Sequence, residues 1–184
     1  MNQDRFIGTE RKILERLEGL FSQQRLLTQW QLQENNHLTD MLLVEHTGMG
    51  TDEGEVLGCY YFIPALGEEG SIHQFVLSMT ITERLNSWNL DFMREAISKI
   101  NYILQTGCFV IDHKGEILSY RLGIPFLADE EENRMMELIG YHIAESAQYV
   151  SLWMDALLEL NAGHISMEEW ENYLKLCMSP VEQL

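Results

Sequence analysis

Residues Asp112-His113-Lys114-Gly115-Glu116 open like the acidic stretch of a calcium-binding loop. Such a loop needs oxygen ligands at alternate positions and its glycine at the sixth. Here Lys114 fills the third position and Gly115 comes two residues early, whereas a tight turn between two strands accounts for all five residues. His142 and Glu145 stand three apart on a helical pattern, but carboxylate-bridged metal bundles use paired Glu-x-x-His motifs in the opposite order. The run TGMGTDEG, Thr47 to Gly54, has the glycines of a phosphate cradle without the lysine or the strand-loop-helix setting that such a cradle needs. Cys59, Cys108 and Cys177 are odd in number and match neither a zinc-ligand spacing nor a CxxC redox pair. They read as reduced thiols, the first two acting as small hydrophobes inside strand-like runs. His37, His46, His73, His113, His142 and His164 are scattered without ligand spacing. Neither catalytic residues, a metal site nor a cofactor is expected. Tyr60, Tyr61, His73 and Arg121 are the polar groups available to an alternative small-ligand or enzymatic site between sheet and helices.

The elements that would position these groups follow from periodicity. Ile13, Leu14, Leu17, Leu20 and Phe21 share one side of a helix from about Arg5 to Ser22. Residues 23 to 36 fit a strand through Leu26, Thr28, Trp30 and Leu32 better than a longer helix, and Asn35 and Asn36 supply a turn into a strand from Leu38 to His46. Val56 to Ile63 and Ile72 to Ile81 read as further strands, separated by the break Pro64 to Gly70. Met93, Ala96, Ile97, Ile100, Ile103 and Leu104 then mark a helix that Gly107 is expected to end in the left-handed conformation. A hairpin follows, Cys108 to Ile111 and Glu116 to Arg121. Asp129, with Glu132 three residues on, predicts the cap of a long helix running through Met136, Ile143, Val150, Met154 and Leu160 to a stop at Gly163. Ser166 and Glu169 repeat the capping-box spacing and open a short last helix before Pro180. The expected fold is therefore α+β: an N-terminal helix, an antiparallel sheet of about five to six strands, a central helix, and a long C-terminal helix with a short terminal one.

Composition bounds what such a domain can bind. The 184 residues are 46% hydrophobic with only 3 prolines, enough to bury a core in one domain. Acidic residues outnumber basic ones 29 to 12, a net charge of −17. Phosphate backbones and anionic lipid surfaces are bound by clustered lysine and arginine, so nucleic acid and membranes are poor partners for this chain. The opening MNQDRFIGTERK lacks the apolar run of a signal peptide, so a cytoplasmic location is expected. Ten methionines include Met135, Met136, Met154, Met167 and Met178 beside Trp153 and Trp170. Soft side chains adapt to partners as well as to cores. Met136, Trp153, Met154, Leu157 and Trp170 are thus the candidate partner-binding residues.

The order of elements, together with Asn101, Gly107, Phe109, Asp112, Gly115 and Arg121 and the helical segment AESAQYVSLWMDALLEL, resembles the YbjN-like family over about Phe6 to Gly163. The resemblance implies a type III secretion chaperone-like fold for residues 1–163, with 164–184 as a helical extension, and a small regulatory or chaperone-like role without a reaction. It carries over no catalytic residue. The function expected is a non-enzymatic protein-interaction module, a homodimer by expectation, binding a client through its sheet face or its C-terminal helices. A structural subunit of a larger assembly is the remaining alternative.

Overall fold

The computed structural model describes residues 3–32, 39–63, 72–127 and 129–178, with the side chains of 3–7 and of 178 excepted. The turn expected at Asn35 and Asn36, the Pro64 to Gly70 break, Pro180 and the side chain of Met178 fall outside that range. The first helix, α1 (Gln3–Gln23), buries Ile13, Leu14, Leu17 and Phe21 on one side, as their spacing requires. Arg25, with φ 64°, turns the chain into β1 (Leu27–Gln31), so the described middle of the ambiguous segment is a strand. Thr28 and Trp30 point toward the helices, and the Arg11 guanidinium lies 4.1 Å from the Trp30 ring centre.

Strands β2 (Met41–Met49), β3 (Gly54–Ile63) and β4 (Ile72–Thr82) form an antiparallel meander with β1. The hairpin of β5 (Cys108–Ile111) and β6 (Leu118–Leu127) joins its far side, giving six antiparallel strands in the order β1-β2-β3-β4-β6-β5. β6 is longer than its weak alternation suggests, because Leu118, Tyr120, Ile124 and Phe126 face the core along its whole length.

Two expected caps are corrected. Helix α2 (Leu90–Ile103) ends at Leu104, which is already extended, and Gly107 lies beyond it. Gly107 is left-handed, φ 64°, but it serves the entry to β5 instead of the helix end. Helix α3 (Glu132–Ala162) starts after Glu131, not Asp129, and no side chain caps it. Its end is as expected: Gly163 has φ 77° and its N–H reaches the carbonyl of Leu160 at 3.1 Å. The capping box of α4 (Met167–Met178) also forms, with Ser166 N–H donating to Glu169 at 2.8 Å and Glu169 N–H to Ser166 Oγ at 3.3 Å.

The helices build two layers on one face of the sheet. Phe21 of α1 meets His46 and Tyr60, Tyr149 of α3 meets Tyr120, and Met93, Ala96, Ile97 and Ile100 of α2 join the same core as Phe109 and Leu118. Helix α4 lies over α2 and α3, tied by Lys99 to Glu171 and by the Tyr173 hydroxyl, which donates to the Leu152 carbonyl at 2.8 Å. The sheet edge at β5 is closed by a side chain. Asn101 accepts from the Phe109 N–H and donates to the Phe109 carbonyl, both at 2.8 Å, so one amide replaces a seventh strand there. Among the described residues no helix is long and apolar enough to cross a membrane.

Candidate functional site: the open sheet face

On the helix-facing side of the sheet the buried His46, Tyr60, His73 and Tyr120 each have a partner. His46 and the Tyr60 hydroxyl lie 2.6 Å apart beneath Phe21, and burial pushes Tyr60 upward and His46 down to about 4. His73 Nδ1 and Glu10 lie 2.6 Å apart, both largely buried, and burial raises the Glu10 carboxyl although His73 pulls the other way. These are internal pairs, each fastening α1 or β2 to the sheet. Tyr60 and His73 therefore lie on the core side, whereas strand alternation puts Tyr61 and Arg121 on the opposite side. The four groups of the alternative small-ligand site do not converge.

The depressed His46 value sets a pH dependence. Unfolded, the imidazole takes its proton near 6.5; folded, only near 4. His46 thus costs no stability above pH 6.5, and stability falls as pH drops from 6.5 toward 4, where the unfolded chain binds a proton that the folded one excludes. The loss expected is at most about 3 kcal/mol. Urea melts at a series of pH values should show this slope in the native chain and a flatter one in a His46→Gln variant.

The loops with suggestive sequences have ordinary structural duties. Asp112 accepts the N–H groups of Glu116 at 2.7 Å and Ile117 at 2.9 Å, and these bonds hold its carboxyl below the usual range. Thr51 gives its N–H and hydroxyl to Asp155 of α3, each at 2.6 Å, so the donors of the glycine-rich loop meet a carboxylate of the chain itself. Glu145 accepts from the Thr106 hydroxyl at 2.7 Å and pairs with His142 at 3.1 Å. Among the described residues no three His, Cys, Asp or Glu side chains gather as a metal ion requires.

Met136, Trp153, Met154, Leu157 and Trp170 are all core residues, none more than 8% exposed. Their helical spacing marks a buried face, and that face is covered within the chain: α3 lies on the sheet, and α4 closes over Trp153, whose ring meets Tyr173 edge-on at 5.9 Å. Periodicity reports that a face is covered and is silent about what covers it.

The other side of the sheet has no described helix on it. Pairing registers arrange its side chains in rows: Gln31, Met41, Tyr61, Val76 and Gly123; Gln29, Leu43, Cys59, Ser78, Arg121 and Cys108; Leu27, Glu45, Leu57, Thr80, Ser119 and Val110. Beyond them Ile63, Gln74 and Pro125 align, then Ile72 and Leu127. Leu27, Leu57, Ile72 and Leu127, each more than 40% exposed, belong to this face. In a chain of net charge −17, its described strand residues bring only Arg121, Glu45 and Glu55 as charged groups. Cys59 is pushed up to about 11 by burial, with the Arg121 charge partly opposing, so this thiol is no ready nucleophile.

The molecule thus belongs to a plain structural class: an α+β domain with one antiparallel sheet, helices on one side and an apolar, sparsely charged surface on the other. Comparison of the chain with protein-family models and with curated proteins gives no match.

Proposed function

We propose that this chain is a non-enzymatic docking module, chaperone-like or regulatory, that receives another protein on the open face of its sheet. The observation that supports this is the contrast between a chain rich in carboxylates and one wide sheet face with apolar rows and, among its described strand residues, three charged ones. Isolated exposed hydrophobes need no explanation, but contiguous ones over several strands mark contact surfaces. The YbjN-like resemblance of Asn101, Gly107, Phe109 and the α3 segment argues for the same reading. The C-terminal helices contribute indirectly, by holding the sheet from behind.

The test uses Tyr61, half-buried near the middle of the face and clear of the core. A Tyr61→Asp chain should keep its far-ultraviolet circular dichroism and lose most of the partner recovered by crosslinking and pull-down with the native chain, a weakening of about tenfold or more. Undiminished recovery by a folded Tyr61→Asp chain would remove the sheet face from consideration.

A further inference from the structure

The occupant of the open face can be argued from the symmetry of its charges, an argument that rests on the docking reading above. The sheet midline runs between β3 and β4. Arg121 on β6 and Glu45 on β2 each stand one strand outside that central pair, on opposite sides of the midline. Arg121 shares its row with Leu43, and Glu45 lies two residues further along the same strand as Leu43, about 7 Å away.

A two-fold axis parallel to the strands and lying over the midline would set β6 of one copy opposite β2 of the next. Each Arg121 would then face Leu43 and Glu45 of the other copy, and the relation repeats in reverse. In the same arrangement Tyr61 stacks over Val76 and Leu57 over Thr80, both pairs mirror-related across the midline. We infer that the open sheet face is self-complementary and that its partner is a second copy of this chain, joined face to face as an aligned β-sandwich with reciprocal Arg121–Glu45 contacts. A two-fold interface needs this kind of patch, on which each residue finds its complement in the same patch.

Two further observations favour a second copy over a foreign protein. Two bodies of charge −17 repel, and the sparsely charged sheet face lets them approach with the fewest facing carboxylates. A basic partner would be drawn to the acidic helices instead. Size also fits. The five rows hold 22 positions of about 4.8 Å by about 7 Å each, a footprint on the order of 700 Å² per copy, near the roughly 800 Å² per partner of a standard stable interface. Sheets stacked at about 10 Å leave room for the two sets of side chains to interdigitate.

The experiment is a charge swap on the full chain, read by sedimentation equilibrium from roughly micromolar to roughly hundred-micromolar concentration. The native chain should form a dimer. Arg121→Glu places two carboxylates opposite each other and should weaken the dimer about tenfold or more; Glu45→Arg should do likewise by facing two cations. The double variant Arg121→Glu/Glu45→Arg restores opposite charges and should regain most of the native affinity. Circular dichroism of each variant separates misfolding from dissociation. A folded double variant as weak as the singles would overturn the proposed pairing, and a dimer unmoved by either single variant would place its interface elsewhere. A native chain that stays monomeric throughout overturns the homodimer. In that last case, if Tyr61→Asp still abolishes capture of another protein, the docking reading survives with a foreign partner; if it does not, both fall.

Discussion

Trp153→Ala is expected to lower the stability of the folded chain by about 3 to 5 kcal/mol, the usual cost of emptying a large aromatic site in a core. Trp153 is 2% exposed and sits where α3 and α4 meet, its ring edge-on to Tyr173 at 5.9 Å. Tyr173 in turn donates to the Leu152 carbonyl, so the truncation leaves a cavity and loosens the tie between the helices. The measurement is a guanidinium or urea melt at neutral pH, with the midpoint falling at nearly constant slope. For a domain of this size the melting temperature should drop by on the order of 10 °C. Limited proteolysis should cut first near α4. A tryptophan that served chiefly as a partner anchor would behave oppositely, leaving the melt in place and weakening capture, so this one substitution decides between the two duties of the α3 face.

Gly107→Ala should destabilise by about 2 to 5 kcal/mol, through two independent penalties. The first is conformational: φ is 64°, and a Cβ in the left-handed region costs roughly 1–2 kcal/mol. The second is steric, because a Cβ on Gly107 would collide with the Tyr120 hydroxyl and come within 2.9 Å of the Arg121 carbonyl. Tyr120 cannot simply withdraw. It is fully buried, edge-on to Phe109, and its hydroxyl donates to the Thr106 carbonyl at 2.8 Å. Overpacking of this kind costs roughly 1–3 kcal/mol more. A Gly107→Ala/Tyr120→Phe double variant, which removes the colliding oxygen, should recover part of the steric share and none of the conformational one. Full recovery in the double variant would refute the conformational penalty, and a native-like melt of the single variant would refute both.

Local rules located most elements because their causes are local. The Ser166–Glu169 capping box and the Gly163 stop depend on a few consecutive residues, and both form as their spacing predicts. The strand at Leu27 to Gln31 lies inside the segment 23 to 36, where alternation favoured a strand over a longer helix. Gly107 shows where such rules end. Its need for a left-handed backbone was legible, but its purpose was not, since the reason is Tyr120, thirteen residues further along and brought beside it by the hairpin. Asp129 had the right spacing for a cap and was passed over for Glu131, because where α3 can start also depends on where β6 delivers the chain.

The same division governs the functional surface. The residues alone determined an acidic α+β chain with an antiparallel sheet, its principal helices, and free cysteines outside any ligand spacing. Only the tertiary structure decided which apolar faces were already covered. Met136, Trp153, Met154, Leu157 and Trp170 are covered, whereas Leu57 and Tyr61 of β3, Ile72 of β4 and Leu127 of β6 line a face that no described helix covers. Hydrophobic spacing encodes that a side chain leaves water. Whether it does so against its own chain or against another depends on how many layers the remaining elements supply, and here the described helices went to one side of the sheet.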